Sequence, residues 1–255
     1  MKNGHDFFRL DGKVALITGG GSGIGLGIAE QFVALGATVV ITGRTEDRLQ
    51  KAVAALGEAA HSIVNDITNK PEHGPLVERV ENEIGPISIL VNNAGKHLKK
   101  MSVETSVEEF QAVMDTNLNS VFSLTNAVLK YMIPRGQGSV INISSMAALY
   151  GIPKVVAYSS SKTALLGLTR TLATEYSDVG IRFNTIAPGF IESEMLNKAM
   201  NQDPERKQKV LARTPAKRFG SRADIGRAAA FLASDASPFI TGVCLPVDGG
   251  NSIGF

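Results

Sequence analysis

A short apolar run, Val14–Thr18, leads straight into Thr18-Gly19-Gly20-Gly21-Ser22-Gly23-Ile24-Gly25, and a helical pattern opens at the last of these glycines. Few folds accommodate that order. Glycines spaced G-x-x-x-G-x-G let a backbone turn tightly out of a strand and approach a pyrophosphate, whose charge then rests at a helix N-terminus. The strand before and the helix after distinguish this segment from a merely flexible turn. The remaining chain repeats the theme. β-Branched runs at Thr38–Thr42, Ser62–Val64, Ile87–Val91, Ser139–Ser144, Arg182–Ile186 and Val243–Val247 are separated by helical patterns such as Gly25–Leu35, Arg44–Leu56 and Pro71–Ile84. Several runs lack a clean apolar–polar alternation, as strands buried on both faces do. Alternating β and α units predict a parallel sheet covered by helices. No linker or low-complexity tract divides residues 1–255, so one domain is expected. A (β/α)8 barrel is the competitor at this length, and the glycine loop argues against it.

Composition narrows the function classes. Lys and Arg number 26 against 24 Asp and Glu, a net charge of +2. That balance gives no reason to invoke nucleic acid or an anionic membrane as a partner. Hydrophobic residues at 44% exclude global disorder. Cys244 is the one cysteine, so no intrachain disulfide can form, and no Cys/His cluster has zinc spacing; no metal is expected. The segment MKNGHDFFRLDGK has no apolar core of the signal-peptide kind. No apolar run reaches the roughly 18 residues that span a bilayer. A soluble cytoplasmic protein is the expectation.

In order along the chain stand TGGGSGIG, Asp66 after the third run, Asn92-Asn93-Ala94-Gly95 at the end of the fourth, Asn117, Ser145, Tyr158 and Lys162 in YSSSK, and Pro188-Gly189 after the sixth. With this set and its intervals, the chain resembles the classical short-chain dehydrogenase/reductase family over nearly its whole length. The resemblance implies a doubly wound Rossmann-type fold with about seven parallel strands and helices on both faces. It implies a nicotinamide cofactor held by Gly19, Gly21, Ser22, Gly23, Ile24, Gly25, Arg44, Asp66, Ile67, Asn93, Ala94, Gly95, Tyr158, Lys162, Pro188, Gly189, Ile191 and Ser193. It implies Asn117, Ser145, Tyr158 and Lys162 as the catalytic set. It also implies a homotetramer, in which two long helices around Ser106–Met132 and Val156–Val179 pack against symmetry mates.

The chemistry suits these residue types. Tyr158 and Lys162 are four apart, on one face of a helix. A free phenol has a pKa of about 10, and a neighbouring ammonium is expected to lower it toward a useful acid–base range. By resemblance Tyr158 is the general acid/base, and Lys162 also holds the nicotinamide ribose. Ser145 can place a donor where charge develops on the substrate oxygen, whereas Ser144 reads as a turn residue. Ser106 and Glu109 form a capping box that starts the helical pattern containing Asn117. Asn disfavours helix interiors. Asn117 resembles the family residue that holds a water in a proton relay through Lys162, while Asp115 and Asn119 read as solvated or capping residues.

Two specificity expectations follow. Gly43 occupies the place where NAD-specific members usually carry an acid, and Arg44 beside it suits a 2′-phosphate, so NADP(H) is favoured over NAD(H). Ser22 stands where many NADP-using relatives carry Arg. On the substrate side, Lys96-His97-Leu98-Lys99-Lys100 follows the Asn92–Gly95 turn, and residues 188–220 form a polar excursion read as a lid, with a short helix expected over Glu192–Met200. Gluconate 5-dehydrogenases and related uronate reductases often carry basic residues at that place. Lys99 is the expected carboxylate contact and His97 the second, with Ser145 and Tyr158 at the reacting end. His5, His61 and His73 read as surface residues. The expected activity is ketone–alcohol interconversion on a small anionic substrate such as a keto-sugar acid. The alternatives are a 3-oxoacyl-thioester (acyl-carrier-protein) reductase and a non-catalytic dinucleotide sensor, the last opposed by the intact catalytic set.

Overall fold

In the computed structural model, which describes residues 6–193, 196 and 200–254, seven strands form one sheet. They are β1 Val14–Thr18, β2 Thr38–Gly43, β3 Ala60–Val64, β4 Ile87–Asn92, β5 Gly138–Ile143, β6 Ile181–Pro188 and β7 Cys244–Val247. The spatial order is β3-β2-β1-β4-β5-β6-β7, and every neighbouring pair is parallel. The helices are α1 Gly23–Ala34, α2 Glu46–Leu56, α3 His73–Glu83, α4 Val107–Met114, α5 Ser120–Arg135, α6 Val156–Tyr176, α7 Pro204–Arg213 and α8 Arg222–Ala233.

The strands are apolar on both faces because each face meets a helix layer. Along β1, Ala15 and Ile17 pack with Ile28 and Phe32 of α1, Leu49 of α2 and Ile225 of α8. Val14 and Leu16 point the other way, to Leu76 and Val80 of α3, Leu124 and Val128 of α5 and Leu172 of α6. A Cβ at Gly226 would collide with the Gly27 carbonyl, so only glycine lets α8 lie this close on α1. A chain of buried polar groups crosses the centre of the sheet. Asn92 Nδ2 donates to Asn142 Oδ1 at 2.9 Å and to Thr125 Oγ1 at 3.1 Å. Asn142 Nδ2 donates to Thr169 Oγ1 at 2.9 Å, which lies 2.7 Å from Thr185 Oγ1. These bonds lock β4, β5, β6 and α6 in register.

Three details depart from the sequence reading. The helix expected from Ser106 to Met132 is two helices, α4 and α5, joined by a π-type turn at Asp115–Asn119. His73 is buried, because it begins α3 directly under α5, while His61 is exposed as expected and His5 lies outside the described residues. β3 begins two residues earlier than expected, at Ala60. Among the described residues no helix is long and apolar enough to cross a membrane.

Candidate active site

The strand order reverses at β1, between β2 and β4, and a crevice opens beyond the carboxyl ends of the strands there. The glycine turn occupies it. Gly19 and Gly23 have φ of +66° and +55°, and a Cβ at Gly25 would strike the Gly19 carbonyl. Ser22 precedes α1 in extended backbone and makes no side-chain cap, so the first-turn N–H groups keep their capacity for an anion. Ile24 packs against the core beneath. Gly21 lies against Leu49 and Arg48.

The Asn92–Gly95 segment holds this turn from the other side. Asn93 Nδ2 donates to the Thr18 and Gly19 carbonyls at 2.9 and 3.2 Å. The Asn93 and Ala94 N–H groups both donate to Thr18 Oγ1 at 3.0 Å. Gly95 faces the catalytic residues: a Cβ there would stand 3.3 Å from Asn117 Oδ1 and 3.5 Å from Lys162 Nζ. The glycines at 19, 20, 21, 23 and 25 and Gly95 leave an open cradle from the helix N-terminus to the lysine, which fits a dinucleotide.

At the far end of the cradle, Arg44 is exposed between β2 and Thr45, the residue that caps α2. Asp66 follows β3, and its Oδ1 accepts from the Thr68 amide at 2.9 Å and Thr68 Oγ1 at 2.8 Å. These bonds, chiefly the backbone one, hold the Asp66 carboxyl below its usual range, and the Arg44 charge adds to them. Asn65, which sequence reasoning missed, donates its backbone N–H to Gly43 O at 2.9 Å, and its buried side-chain Oδ1 has no partner among the described residues. Its only sequence signal is its place just before Asp66.

Ser145 follows β5 in extended backbone, and its Oγ accepts from the Ala147 amide at 3.1 Å. Tyr158 stands in the first turn of α6 with Lys162 one turn on. Lys162 is buried, donates from Nζ to Ile143 O at 2.7 Å, and lies 5.7 Å from the centroid of the Tyr158 ring. Burial brings its ammonium down to about 8. The expectation that Lys162 depresses the Tyr158 phenol is corrected here. Burial pushes that phenol up, and the opposing influence is a hydrogen bond with Ser145. The reason is geometric, since the ammonium is drawn to the end of β5 and lies beside the ring. Ser144 is also corrected: it serves no turn, but donates to Lys162 O at 2.8 Å and ties α6 to β5.

Asn117 is fully buried in the π-type turn. Its Oδ1 accepts from the Lys96 amide at 2.7 Å, and its Nδ2 donates to Lys96 O at 2.9 Å and Ser161 Oγ at 3.0 Å. Ser161 in turn donates to Tyr158 O at 2.8 Å. The Asn117 side chain thus fixes Lys96 to α6. Asp115 and Asn119 are not merely solvated: Asn119 Nδ2 donates to Asp115 Oδ1 at 2.6 Å, and Asp115 pairs with Lys70 at 3.4 Å.

Of the basic cluster, His97 comes closest to the chemistry. Its ring centroid is 4.7 Å from that of Tyr158, tilted by 55°. His97 is exposed on its outer side; desolvation on the side it turns to its neighbours lowers its pKa, and the charges of Lys99 and Arg206 lower it further. Lys99 is exposed, whereas Lys100 is neutralised by Glu109 at 2.9 Å. Arg206 of α7 was not foreseen, because a basic residue on a polar helix has no distinguishing sequence signal. Pro188 and Gly189 end β6, where the Gly189 amide donates to Val247 O at 3.1 Å. Ile191 bridges to Gly220, and Ser193 Oγ accepts from the Leu196 amide at 3.1 Å. Most of the helix expected over Glu192–Met200 lies outside the described residues.

A phenol positioned to give or take a proton, at the same sheet edge as a turn shaped for a pyrophosphate, defines a dinucleotide-dependent oxidoreductase. A family model described as enoyl-(acyl carrier protein) reductase matches residues 19–252. The chain is 42% identical over 250 residues to 2-dehydro-3-deoxy-D-gluconate 5-dehydrogenase of Bacillus subtilis, covering 96% of this chain and 97% of that one. It is 39% identical over 246 residues to 3-oxoacyl-(acyl-carrier-protein) reductase of Thermotoga maritima, covering 95% and 98%. A crystal structure of gluconate 5-dehydrogenase from Burkholderia cenocepacia in complex with NADP and tartrate superposes with a TM-score of 0.93 at 37% identity, covering 99% and 100%. The chain belongs to the short-chain dehydrogenase/reductase family. It is an oxidoreductase acting on hydroxyl and carbonyl groups, with a nicotinamide dinucleotide as cofactor.

Proposed function

We propose that this protein interconverts a keto-sugar acid, or a similar small anionic ketone, with its secondary alcohol, and that it prefers NADP(H). The observation that carries the substrate class is the mouth of the site. His97 lies on the Tyr158 ring within the field of Lys99 and Arg206, and none of the three forms an ion pair with an acid among the described residues. Lys99 and Arg206, whose charges act on the imidazole beside the reacting phenol, suit a carboxylate at the far end of a short substrate. The likeness to the Bacillus subtilis and Burkholderia cenocepacia sugar-acid enzymes supports the same reading.

In this reading Tyr158 Oη gives its proton to the substrate oxygen in reduction and takes it back in oxidation. Ser145 Oγ donates a hydrogen bond to that oxygen, where negative charge develops. Lys162 keeps a cation beside the phenol and orients the nicotinamide ribose. Asn117 acts through Lys96, holding the strand of chain that carries His97 and Lys99. Gly19, Gly21, Ser22, Gly23, Ile24 and Gly25 would hold the pyrophosphate, Arg44 the 2′-phosphate, Asp66 and Ile67 the adenine, and Asn93, Ala94 and Gly95 the adenosine ribose and its surroundings. Pro188, Gly189, Ile191 and Ser193 would meet the nicotinamide end. When bound, the nicotinamide supplies or accepts the hydride. Residues 188–220 act as a lid on one domain spanning 1–255, and the protein works as a cytoplasmic homotetramer.

The Thermotoga maritima relative favours a second reading, reduction of 3-oxoacyl thioesters. A panel of keto-sugar acids, their neutral keto-sugar counterparts and acetoacetyl thioesters, each with NADPH and NADH, separates the two. The sugar-acid reading requires a kcat/KM for the acids at least about tenfold above that for the neutral ketones, the worth of one charge-assisted contact. A higher value for the thioester assigns the protein to the second reading.

A further inference from the structure

His73 has no part in the chemistry described above, yet it is the one buried imidazole among the described residues, 1% exposed. Both ring nitrogens are used. Nε2 lies 3.0 Å from Ile67 O, and Nδ1 lies 2.9 Å from Ser123 Oγ. A carbonyl only accepts, so Nε2 carries the proton and Nδ1 accepts from the Ser123 hydroxyl. One neutral tautomer therefore joins three segments: the turn after β3, the start of α3, and α5. The surroundings oppose a charge. His73 is the first residue of α3, where the positive end of the helix dipole lies. Lys70 is near, although Asp115 of the π-type turn pairs with it, and Glu72 is exposed. Asp66 has committed Oδ1 to Thr68, and α5 presents the uncharged Ser123.

The carbonyl that His73 holds belongs to the residue after Asp66. The Asp66–Thr68 turn is thus fixed twice, by the Asp66 carboxylate on Thr68 and by His73 on Ile67. We propose that His73 is a positioning residue for the adenine end of the cofactor site: its neutral ring bolts the backbone carrying Asp66 and Ile67 to α5. An apolar side chain of similar size would fill the space but leave Ile67 O without its donor, and the turn would move to find one. The inference rests on the reading above that Asp66 and Ile67 meet the adenine.

The test measures NADPH dissociation constants by fluorescence at pH 7.5 for the wild type, His73→Gln, His73→Leu and Ser123→Ala. Gln retains a donor and an acceptor. At pH 7.5 His73→Gln binds within about threefold of wild type and His73→Leu about tenfold more weakly, the loss expected for a buried acceptor left unpaired. For His73→Leu the KM for NADPH rises while kcat at saturating cofactor and the KM for the carbonyl substrate stay within about twofold, because the defect is confined to cofactor binding. Burial lowers the His73 pKa, so the neutral ring persists at neutral pH, where the affinities are compared. If His73→Leu does not fold, Ser123→Ala must by itself weaken NADPH binding about threefold with substrate KM unchanged. Unchanged affinity in His73→Leu or in Ser123→Ala overturns the inference. A wild type that binds no nicotinamide dinucleotide overturns the cofactor reading itself.

Discussion

Lys162 shows how a single residue trades stability for chemistry. Its folded pKa is lowered from 10.5 to about 8 by burial, so folding favours the neutral amine. The associated stability is complete above pH 10.5, is lost as pH falls toward 8, and stays lost below. At pH 7 the burden is roughly 3 kcal/mol. Lys162→Met removes it, at a cost of about 1–3 kcal/mol for leaving Ile143 O unpaired. The variant is expected to melt at or above the wild-type temperature at pH 7, and its margin should shrink as pH rises from 8 to 10. Thermal melts across that range check the sign, and a margin that grows with pH refutes the argument. Turnover should be lost in the same protein. Tyr158→Phe should lose at least about 10²-fold in kcat, the usual worth of general acid–base catalysis, while NADPH binding persists. At the other end of the cradle, Arg44 is exposed beside Gly43, which offers no side chain to either cofactor. Arg44→Asp deletes a charge-assisted contact and adds a repulsive one, so the ratio of kcat/KM for NADPH over NADH should fall by more than about tenfold. A wild type that already prefers NADH refutes the cofactor preference.

At the scale of elements, the strands were legible because a parallel strand covered on both faces writes itself as an uninterrupted β-branched run. Val14–Thr18 coincides with β1, and the ends of the others shift by only a residue or two. β3 was read short because its start, Ala60-His61, carries a polar exposed residue at the sheet's edge. The site was legible where chemistry demands a residue type at a spacing, as for Tyr158 and Lys162. It was not legible where tertiary contacts decide. Nothing local distinguishes the π-type turn, since the apolar period of α4 runs on into α5. The extra residue is held by Asn117 on Lys96 and Ser161 and by Asp115 on Lys70. His73 was misread because a lone histidine in the polar stretch Lys70-Pro71-Glu72-His73 carries no periodicity. The capping box at Ser106 was readable and is formed, with Glu109 N donating to Ser106 Oγ at 3.2 Å and Ser106 N to Glu109 Oε2 at 2.9 Å. Ser106→Ala should cost about 1 kcal/mol, a drop of roughly 2–4 °C in Tm by calorimetry. An unchanged Tm means α4 is held by packing alone.

The whole molecule leaves a surface that one chain does not explain. Val103 is 91% and Val107 79% exposed at the start of α4, and Met101 and Val156 are exposed close by, where Lys100 bridges to Val155. Phe122 of α5 is also exposed. Exposed large apolar side chains, when they form a contiguous patch, mark a protein interface more often than bare surface. In the proposed homotetramer the occupant would be a second copy presenting the same face, as a two-fold contact requires. This face borders the π-type turn and the segment carrying His97, so association would also brace the mouth of the site. Light scattering after size exclusion should give the mass of four chains for the wild type at micromolar concentration. Val103→Lys combined with Val107→Lys places two charges into that contact on each copy and should yield a smaller species, since unpaired charges at an interface core cost several kcal/mol. Neither residue touches the glycine turn or the catalytic set, so circular dichroism and NADPH binding should survive in the dissociated form. A wild type that elutes as a monomer, or a double variant that stays tetrameric, shows that this face is not what joins the copies.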